Sequence, residues 1–315
     1  MTRPLLFSVV VVLAVTAIIS CRSKPDADHP IVRYWQPPDI NSLPVDSLGA
    51  QIRYGRELVA HTARYLGPSG SVSTSTNGMN CQNCHLKAGT QVFGNNFGSV
   101  ASLYPRFRAR SGSIESVEKR VNDCLQRSLN GDPLDSLSKE MRALVAYITW
   151  LGRDVPRGKA AEGSGLMELP ILERAADSAR GRQVYIQKCQ TCHTSSGEGL
   201  KSQGAAEYSY PPLWGPDSYN TAAGLFRLSN FARYVYANMP QGVTHEAPQL
   251  TVEEAWDVAA FINSMPRPHK EFAGDWPSPG SKPFDYPFGP FPDTFAARQH
   301  KYGPFGPIRK AAGAD

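Results

Sequence analysis

Hydrophobic residues recur at helical spacing in two long segments of the chain, residues 138–152 and 251–265. The first segment places five apolar residues on one face of the predicted helix: Met141, Leu144, Val145, Ile148 and Leu151. The second segment does the same with another five: Val252, Ala255, Val258, Ala259 and Ile262. Thr251 and Glu254 read as a capping box, which marks the start of the second helix.

Each of these helices closes a similar run of sequence, which indicates an internal repeat. Residues 55–67 and 181–193 are both amphipathic, and both begin with Gly-Arg. Glycine, proline and charged residues interrupt the periodicity around a linker at 156–170. The pattern predicts an all-α fold with two tandem domains, at residues 46–155 and 171–268.

The C-terminal residues 269–315 form a tail that is too rich in proline and glycine for long elements. The tail also carries many aromatic residues, which bury large apolar areas in folded proteins. We therefore expect it to pack across the two domains.

The N-terminus predicts export. Residues 4–20 form an apolar run behind Arg3, and Cys21 follows directly. The end of the run resembles a bacterial lipoprotein cleavage box, so residues 1–21 are interpreted as a lipoprotein-type signal and anchor with the lipid on Cys21; a plain transmembrane anchor is the alternative. Residues 22–45, rich in proline and polar groups, are a spacer. The remaining chain is expected on the periplasmic side of the membrane.

Composition narrows the class of protein further. The chain is 41% hydrophobic and 19% charged, which is typical of a globular protein. Its formal charge of +5 comes from basic residues that are scattered apart from one cluster, so no nucleic-acid partner is predicted.

Two CxxCH motifs, CQNCH at 81–85 and CQTCH at 189–193, have the spacing of c-type haem attachment. Six residues are therefore assigned to haem binding: Cys81, Cys84, His85, Cys189, Cys192 and His193. Thioethers would form at the cysteines, and each histidine would be an axial ligand of the iron. The resulting prediction is two covalently bound haem c groups.

Other uses of the cysteine pairs fit less well. A zinc ribbon separates its pairs by roughly 15 to 20 residues, whereas 104 residues lie between Cys84 and Cys189. A redox-active dithiol does not require a histidine after each pair, and a disulfide framework leaves both histidines unexplained. A haem with one axial histidine either takes a second protein ligand or stays open to substrate. This choice separates electron carriers from most enzymes.

The second motif has a methionine at the distance of a distal haem ligand. Met239, in YANMPQG, follows His193 by 46 residues, and a thioether followed by proline is typical of a His/Met carrier haem. Met265 is the competing candidate, but it ends the closing helix, where packing is the simpler role.

The first motif has a cysteine instead. Met79 is too close to the motif and Met141 belongs to the apolar stripe of the closing helix, whereas Cys124 follows His85 by 39 residues. His61, on the helix before the motif, is a rival ligand. A lone cysteine can also be a small buried hydrophobic residue.

Cys124 lies in a predicted helix that starts with Ser113 as its cap. Arg120 and Ser128 come one turn before and after the cysteine, and Arg127 is assigned to the polar side. A cysteine bound to ferric iron and flanked by arginines is expected to be a thiolate.

The stretch before the cysteine is strongly basic and predicts an anion site, because guanidinium groups bind oxyanions in a fixed fork. It carries Arg106, Arg108, Arg110, Lys119 and Arg120. The alternatives are a solvated basic surface and a clamp for haem carboxylates.

Several stretches occur in an order that resembles one known family: CQNCHLKAGT, RVNDCLQRSLNG, the second CxxCH, YPPLWGPDSYN, YANMPQGV, DWP and QHKYGPF. They cover about residues 50–307 and resemble the dihaem thiosulfate dehydrogenases. The resemblance implies two class I cytochrome c domains, a His/Cys active-site haem and a His/Met exit haem. It gives Cys124 the roles of iron ligand and sulfur-binding residue, and makes Ser128, Arg110 and Arg120 substrate contacts.

The function implied by this resemblance is the oxidation of two thiosulfates to tetrathionate, with electrons leaving to an acceptor such as another cytochrome c. The same groups would serve tetrathionate reduction. A lipid anchor departs from the commoner soluble form of the family. The main alternative is a dihaem electron carrier without its own substrate, which predicts methionine ligands on both haems; a dihaem peroxidase would need an open iron site.

Overall fold

The computed structural model describes residues 33–201 and 203–313. The predicted signal and anchor, with Cys21, and the first part of the predicted spacer lie outside the described residues. Within the described ranges, no helix has both the length and the apolar character needed to cross a membrane. All the elements described below belong to one compact unit, Tyr34–Asp315.

The N-terminal half of this unit contains six α-helices and one pair of strands. The helices are α1 (Ser47–Ala60), α2 (Thr62–Leu66), α3 (Leu86–Gly89), α4 (Val100–Leu103), α5 (Val117–Arg127) and α6 (Lys139–Leu151). The strands, between α4 and α5, are β1 (Arg106–Arg108) and β2 (Ser113–Glu115). We call this set the first helical group.

The second helical group repeats the arrangement with fewer elements. Its helices are α7 (Ser178–Lys188), α8 (Gln190–His193), α9 (Leu228–Asn238) and α10 (Val252–Ser264), and its strands are β3 (Leu200–Lys201) and β4 (Tyr208–Tyr210). The tail adds two short helices, α11 (Ala297–Tyr302) and α12 (Gly306–Ala311). The described elements are thus mostly helical, and the fold class predicted from sequence is confirmed except for two small antiparallel sheets.

The helix starts follow local capping chemistry. The hydroxyl of Thr251 accepts from the backbone N–H of Glu254, whose carboxylate accepts from Thr251 N–H, so the predicted capping box of α10 is present. The cap of α5 is Ser116, whose hydroxyl accepts from Lys119 N–H. The prediction of Ser113 as this cap is wrong, because Ser113 pairs with Arg108 in the β1–β2 hairpin.

Both groups are built on the same crossing of a first and a closing helix. Gly55 of α1 lies against α6, where a Cβ atom would come 2.0 Å from the carbonyl oxygen of Ala143. Gly181 of α7 lies against α10 in the same way, with 1.8 Å to the oxygen of Asp257. Only glycine permits backbones to approach so closely, so the two Gly-Arg segments repeat for a packing reason.

The apolar stripes of the closing helices are buried as predicted, with few exceptions. In α6, Val145 is half-buried, and in α10 the same is true of Val252. The other eight predicted stripe residues are buried: Met141, Leu144, Ile148, Leu151, Ala255, Val258, Ala259 and Ile262. The described core is therefore centred on the two helix crossings.

The tail contacts both helical groups. The Asp275 carboxylate accepts from Arg127 Nη1 of α5 at 2.6 Å, and the Asp285 carboxylate accepts from Arg227 Nε, beside the start of α9, at 2.8 Å. Phe305 is buried beside Trp256 of α10, with ring centres 5.6 Å apart. The tail thus packs across the two groups, while the exact domain boundaries remain a prediction.

Candidate haem sites

The first CxxCH motif places its histidine ready to bind a metal. Cys81–Asn83 form a turn of 3₁₀-helix, and His85 Nδ1 lies 2.6 Å from the carbonyl oxygen of Asn95. Because a carbonyl only accepts, Nδ1 carries the hydrogen and Nε2 has its lone pair free. Burial lowers the pKa of His85 to about 4, so the ring is neutral at ordinary pH.

Cys124 of α5 faces this motif. Burial raises the thiol pKa of Cys81 to about 11 and of Cys84 to about 12, and the neighbouring Cys124 acts on both in the same direction. Cys124 is also the largest influence on Arg120, whose guanidinium pKa it raises. Arg120 in turn helps to lower the pKa of His85. The structure therefore brings the predicted cysteine and arginine together at the first motif.

Arg110 joins the same cationic group from the turn of the β1–β2 hairpin. Its Nη1 donates to the Ala222 carbonyl at 2.9 Å, and its guanidinium lies 5.3 Å from the centre of the Trp276 ring. Its pKa is lowered to about 10, first by burial and then by Arg127 and Arg120. Such mutual repulsion among cations that are partly or wholly buried favours the binding of an anion.

Ser128 ends α5 one turn after the cysteine. Its backbone N–H donates to the carbonyl of Cys124 at 2.8 Å, so the two residues are neighbours along the same edge of the helix. The remaining basic residues of this stretch have other surroundings. Lys119 Nζ bonds Asp123 at 2.6 Å, Arg108 lies 4.0 Å from Glu115, and Arg106 is exposed.

Arg127 is a correction to the sequence prediction, which assigned it to the polar side of the helix. Its side chain is only 6% exposed, and it donates to both carboxylate oxygens of Asp275, at 2.6 and 2.8 Å. The guanidinium also lies 3.9 Å from the centre of the Phe272 ring. Asp275 compensates a charge that would be costly to bury alone.

The rival ligands of the first site have other contacts. His61 Nδ1 is 3.0 Å from Glu207 of the second helical group. Arg64 and Asn80 also donate to this carboxylate, at 2.9 and 3.2 Å. Met79 is buried in an apolar cluster with Leu125. Sequence reasoning missed the Glu207 contact, because nothing local signals a bond across 146 positions.

The second motif borders a cavity of about 900 Å³, a volume typical of a cofactor site. Cys189, Cys192 and His193 lie on its wall, and so does Met239, which follows the last residue of α9. His193 Nδ1 is 2.8 Å from the carbonyl oxygen of Pro211, which leaves Nε2 free, and burial lowers the pKa of the ring. Met265 directly follows α10 and packs against the apolar core of the second helical group.

The two sites adjoin one another. Cys84 of the first motif also lies on the wall of the cavity that borders the second motif. Tyr234 of α9 donates through its hydroxyl to the carbonyl of Asn83, inside the first motif, at 2.7 Å. Asn238 donates to the carbonyl of Phe93 at 3.1 Å. Hydrogen bonds therefore join α9 of the second helical group to the first motif and the loop after it.

The donor sets suit haem at both positions. Each has paired thiols for covalent attachment and a neutral histidine with a free nitrogen. Each also has a sulfur-bearing residue, Cys124 or Met239, as the candidate second ligand of the iron. Two such sites on helical groups with one shared frame define a dihaem c-type cytochrome.

Comparison with known proteins gives the same class and narrows it. Residues 71–156 match the SoxA/TsdA cytochrome c domain, and residues 178–266 match cytochrome c. The chain is 35% identical over 235 residues to a thiosulfate dehydrogenase of Stutzerimonas stutzeri, covering 75% of this chain and 73% of that one. It belongs to the thiosulfate dehydrogenase family.

Two further relatives agree. A thiosulfate dehydrogenase of Allochromatium vinosum is 36% identical over 239 residues, covering 74% of this chain and 84% of that one. The solved structure of the thiosulfate dehydrogenase TsdBA from Marichromatium purpuratum matches with a TM-score of 0.70 and 32% identity, over 76% of this chain. The match spans about half of that longer chain, 51%. The two cytochrome c domains of the present chain carry two covalently bound haem c groups.

Proposed function

We propose that this chain is a thiosulfate dehydrogenase, which couples two thiosulfate ions into tetrathionate at the first haem site and passes the electrons out through the second. The relatives of this chain, which are thiosulfate dehydrogenases, support the reaction class. The single observation that carries the proposal is the position of Cys124, which is close enough to the first CxxCH motif and to Arg120 to act on them electrostatically. A carrier with two His/Met haems would not need this thiol.

Four side chains would hold the irons, His85 with Cys124 in the first domain and His193 with Met239 in the second. When bound, the haems would supply one-electron redox chemistry and together accept the two electrons released as two thiosulfates form one tetrathionate. The protein has three further tasks: to bind two dianions, to orient them, and to provide a sulfur nucleophile.

Binding falls to the arginines. Two thiosulfates carry four negative charges, so their approach is unfavourable without nearby cations. Arg110 and Arg120 repel one another in the protein, and an anion between them would remove that repulsion. Arg110 is fixed at one Nη by Ala222, which leaves its other N–H groups to hold an oxyanion. The hydroxyl of Ser128, at the end of the same helix, would donate to a sulfonate oxygen.

The nucleophile is the sulfur of Cys124. In the first step a bond forms between the Cys124 thiolate and the terminal sulfur of one thiosulfate, giving Cys–S–S–SO₃⁻ and releasing two electrons. In the second step the terminal sulfur of another thiosulfate attacks the outer sulfur of this adduct. The Cys124–sulfur bond breaks, tetrathionate leaves, and the thiolate is regenerated. Charge balances in both steps, and the reverse sequence describes tetrathionate reduction.

The test uses the purified, haem-loaded chain with thiosulfate and, separately, with tetrathionate and a reductant. We expect Cys124→Ala to lose thiosulfate oxidation by on the order of a thousandfold or more, because it removes the nucleophile. Thr149→Ala, on the exposed side of α6, is the control and should keep full activity. Both variants should retain two haems by absorbance.

Two outcomes would contradict the proposal. Full activity in Cys124→Ala would remove the cysteine from the mechanism. A wild-type chain that exchanges electrons with an added cytochrome c but neither oxidises thiosulfate nor reduces tetrathionate would instead be the substrate-free carrier.

We also propose that the protein is a lipoprotein on the periplasmic side of the membrane, anchored through Cys21. The support is the apolar run at 4–20 that ends directly at this cysteine. Lipid labelling in cells tests it: wild type should acquire the label, and Cys21→Ala should not. Equal labelling of the two proteins would contradict the lipid anchor.

A further inference from the structure

The second haem cavity contains one histidine that the proposed function does not use. His245 lies on the cavity wall in the loop after Met239, and its side chain is 12% exposed. Its Nε2 atom is buried and has no hydrogen-bond partner. The nearest carboxylate, that of Glu246, is 4.0 Å away, beyond hydrogen-bonding distance.

The imidazole ring is held in place by two aromatic neighbours. Tyr34 and Phe93 both meet it edge to face, each with its ring centre 4.9 Å from that of the histidine. Such packing fixes the plane of the ring and therefore the direction of its nitrogen atoms. His245 cannot easily rotate to find a partner in the surrounding protein.

Two other polar side chains on this cavity wall, Lys188 and Asn238, already have partners. Lys188 Nζ bonds the Glu254 carboxylate at 2.9 and 3.0 Å and the Gln249 carbonyl at 3.0 Å. Asn238 is bonded through both its oxygen and its nitrogen. Among the described residues, His245 is the cavity-lining residue with a buried side-chain atom that lacks a partner. Buried polar groups are almost always satisfied, so this nitrogen points to a ligand group.

Haem c brings two carboxylates into its pocket, and each needs hydrogen-bond donors where it is buried. We propose that His245 Nε2–H donates to a carboxylate of the haem in the second domain. The iron itself does not require this histidine, because His193 and Met239 are both on the cavity wall. His245 is thus a positioning residue that acts on the cofactor rim and tunes the potential of the exit haem.

The expected effect has a definite sign. Removing the donor leaves the negative charge of the carboxylate less compensated, which favours ferric over ferrous iron. In His245→Phe the reduction potential of the second haem should therefore fall, and the ring still fills the space beside Tyr34 and Phe93. His245→Gln retains an N–H donor and should restore much of the wild-type potential.

The experiment is a redox titration of the haem-loaded full chain followed by absorbance, with the first haem of the same molecule as internal reference. His269→Phe, which removes an exposed histidine of the tail, is the matched control and should change neither haem. Resonance Raman bands of the haem carboxylates provide a second measurement, which should shift in His245→Phe.

Two results would overturn the proposal. One is a His245→Phe chain whose second-haem potential and carboxylate bands equal those of wild type. The other is a sulfur-to-iron charge-transfer band of the second haem that is absent from wild type and appears in His245→Phe, which would make His245 an iron ligand in place of Met239. Neither result depends on thiosulfate turnover, so the proposed activity is tested separately.

Discussion

The two haem sites of this chain are built on the same crossing of two helices and differ in the side chains that surround them. In each helical group, a glycine lets the first helix touch the closing helix, Gly55 in one and Gly181 in the other. The first site then adds a thiol on α5 among buried arginines, whereas the second adds Met239 beside a large cavity. No arginine lies among the described residues of that cavity wall.

This difference shows where the chemistry of the molecule is specified. The crossing helices bury apolar stripes of similar composition and place a histidine in each domain. The distal residue and the charges around it come from the segment between motif and closing helix. In the first group that segment carries the β1–β2 hairpin and α5, which together bring Arg110, Arg120 and Cys124 to one place.

The strongest test of this comparison exchanges the two sulfur residues. Cys124→Met should lower thiosulfate oxidation by on the order of a thousandfold, because a thioether is not a nucleophile of this kind. The potential of the first haem should rise, since thiolate donates more electron density than thioether. Steady-state assays and a redox titration measure both effects.

The reciprocal variant sharpens the result. Met239→Cys should lower the potential of the second haem without creating a second thiosulfate site, because the arginines are absent from that cavity wall. If Met239→Cys in a Cys124→Ala background oxidised thiosulfate, a thiol alone would suffice and the role given to the arginines would be wrong.

The next effect concerns the tail, which contributes to each helical group one aspartate that bonds an arginine. Asp275→Asn leaves the buried Arg127 without its carboxylate and should cost about 3 kcal/mol of unfolding free energy. Because Arg127 acts on Arg110, KM for thiosulfate should also change, by about tenfold. Chemical denaturation and kinetics at constant ionic strength measure these two quantities.

Asp285→Asn is the matched control. Asp285 is buried and holds Arg227 together with the N–H and hydroxyl of Ser229 at the start of α9. The variant should lose stability to a similar extent but keep the KM of wild type. An equal change of KM in both variants would mean that the tail acts only by holding the whole protein together.

A smaller effect is expected at the shared frame. Gly55→Ala and Gly181→Ala each force a methyl group against a backbone carbonyl and should each cost about 2 kcal/mol. Gly306→Ala, whose Cβ would meet nothing within 4 Å, should cost nothing measurable. Thermal unfolding of the three variants checks whether the two crossings are equivalent, and a loss at only one glycine would contradict that equivalence.

The smallest effect is expected where the two groups meet at the surface. Glu207→Gln weakens the bonds from His61, Arg64 and Asn80 and should cost about 1 kcal/mol. Electron exchange between the haems should remain fast, because the Tyr234–Asn83 contact is untouched. Flash reduction of the loaded chain would reveal any slowing.

Local signals in the sequence were sufficient for much of this architecture. The capping box, the apolar stripes and the two CxxCH motifs each depend on residues within one or two turns of helix. Sequence reasoning predicts Cys124 and Met239 as the second ligands of the two irons, and the structure has Cys124 near the first motif and Met239 on the cavity wall. Their roles as iron ligands remain predictions.

What sequence reasoning missed depends on distant partners. Ser113 was assigned to a helix cap because serine is common there, but strand pairing in the hairpin prevailed. Arg127 was assigned to the polar side, since its partner Asp275 lies 148 positions away. Asp123, four residues before Arg127 on α5, was the only local hint of a buried pair.

The position of Asp275 and Trp276 late in the chain has a consequence for biosynthesis. Both haem-attachment motifs leave the ribosome before these two residues. The contacts of Arg127 with Asp275 and of Arg110 with Trp276 can form only after the tail has been made. The proposed anion site is therefore completed only after both motifs have been made. A chain that ends before residue 275 would therefore keep both haem-attachment motifs and lack the residues that hold Arg127 and Arg110 in place.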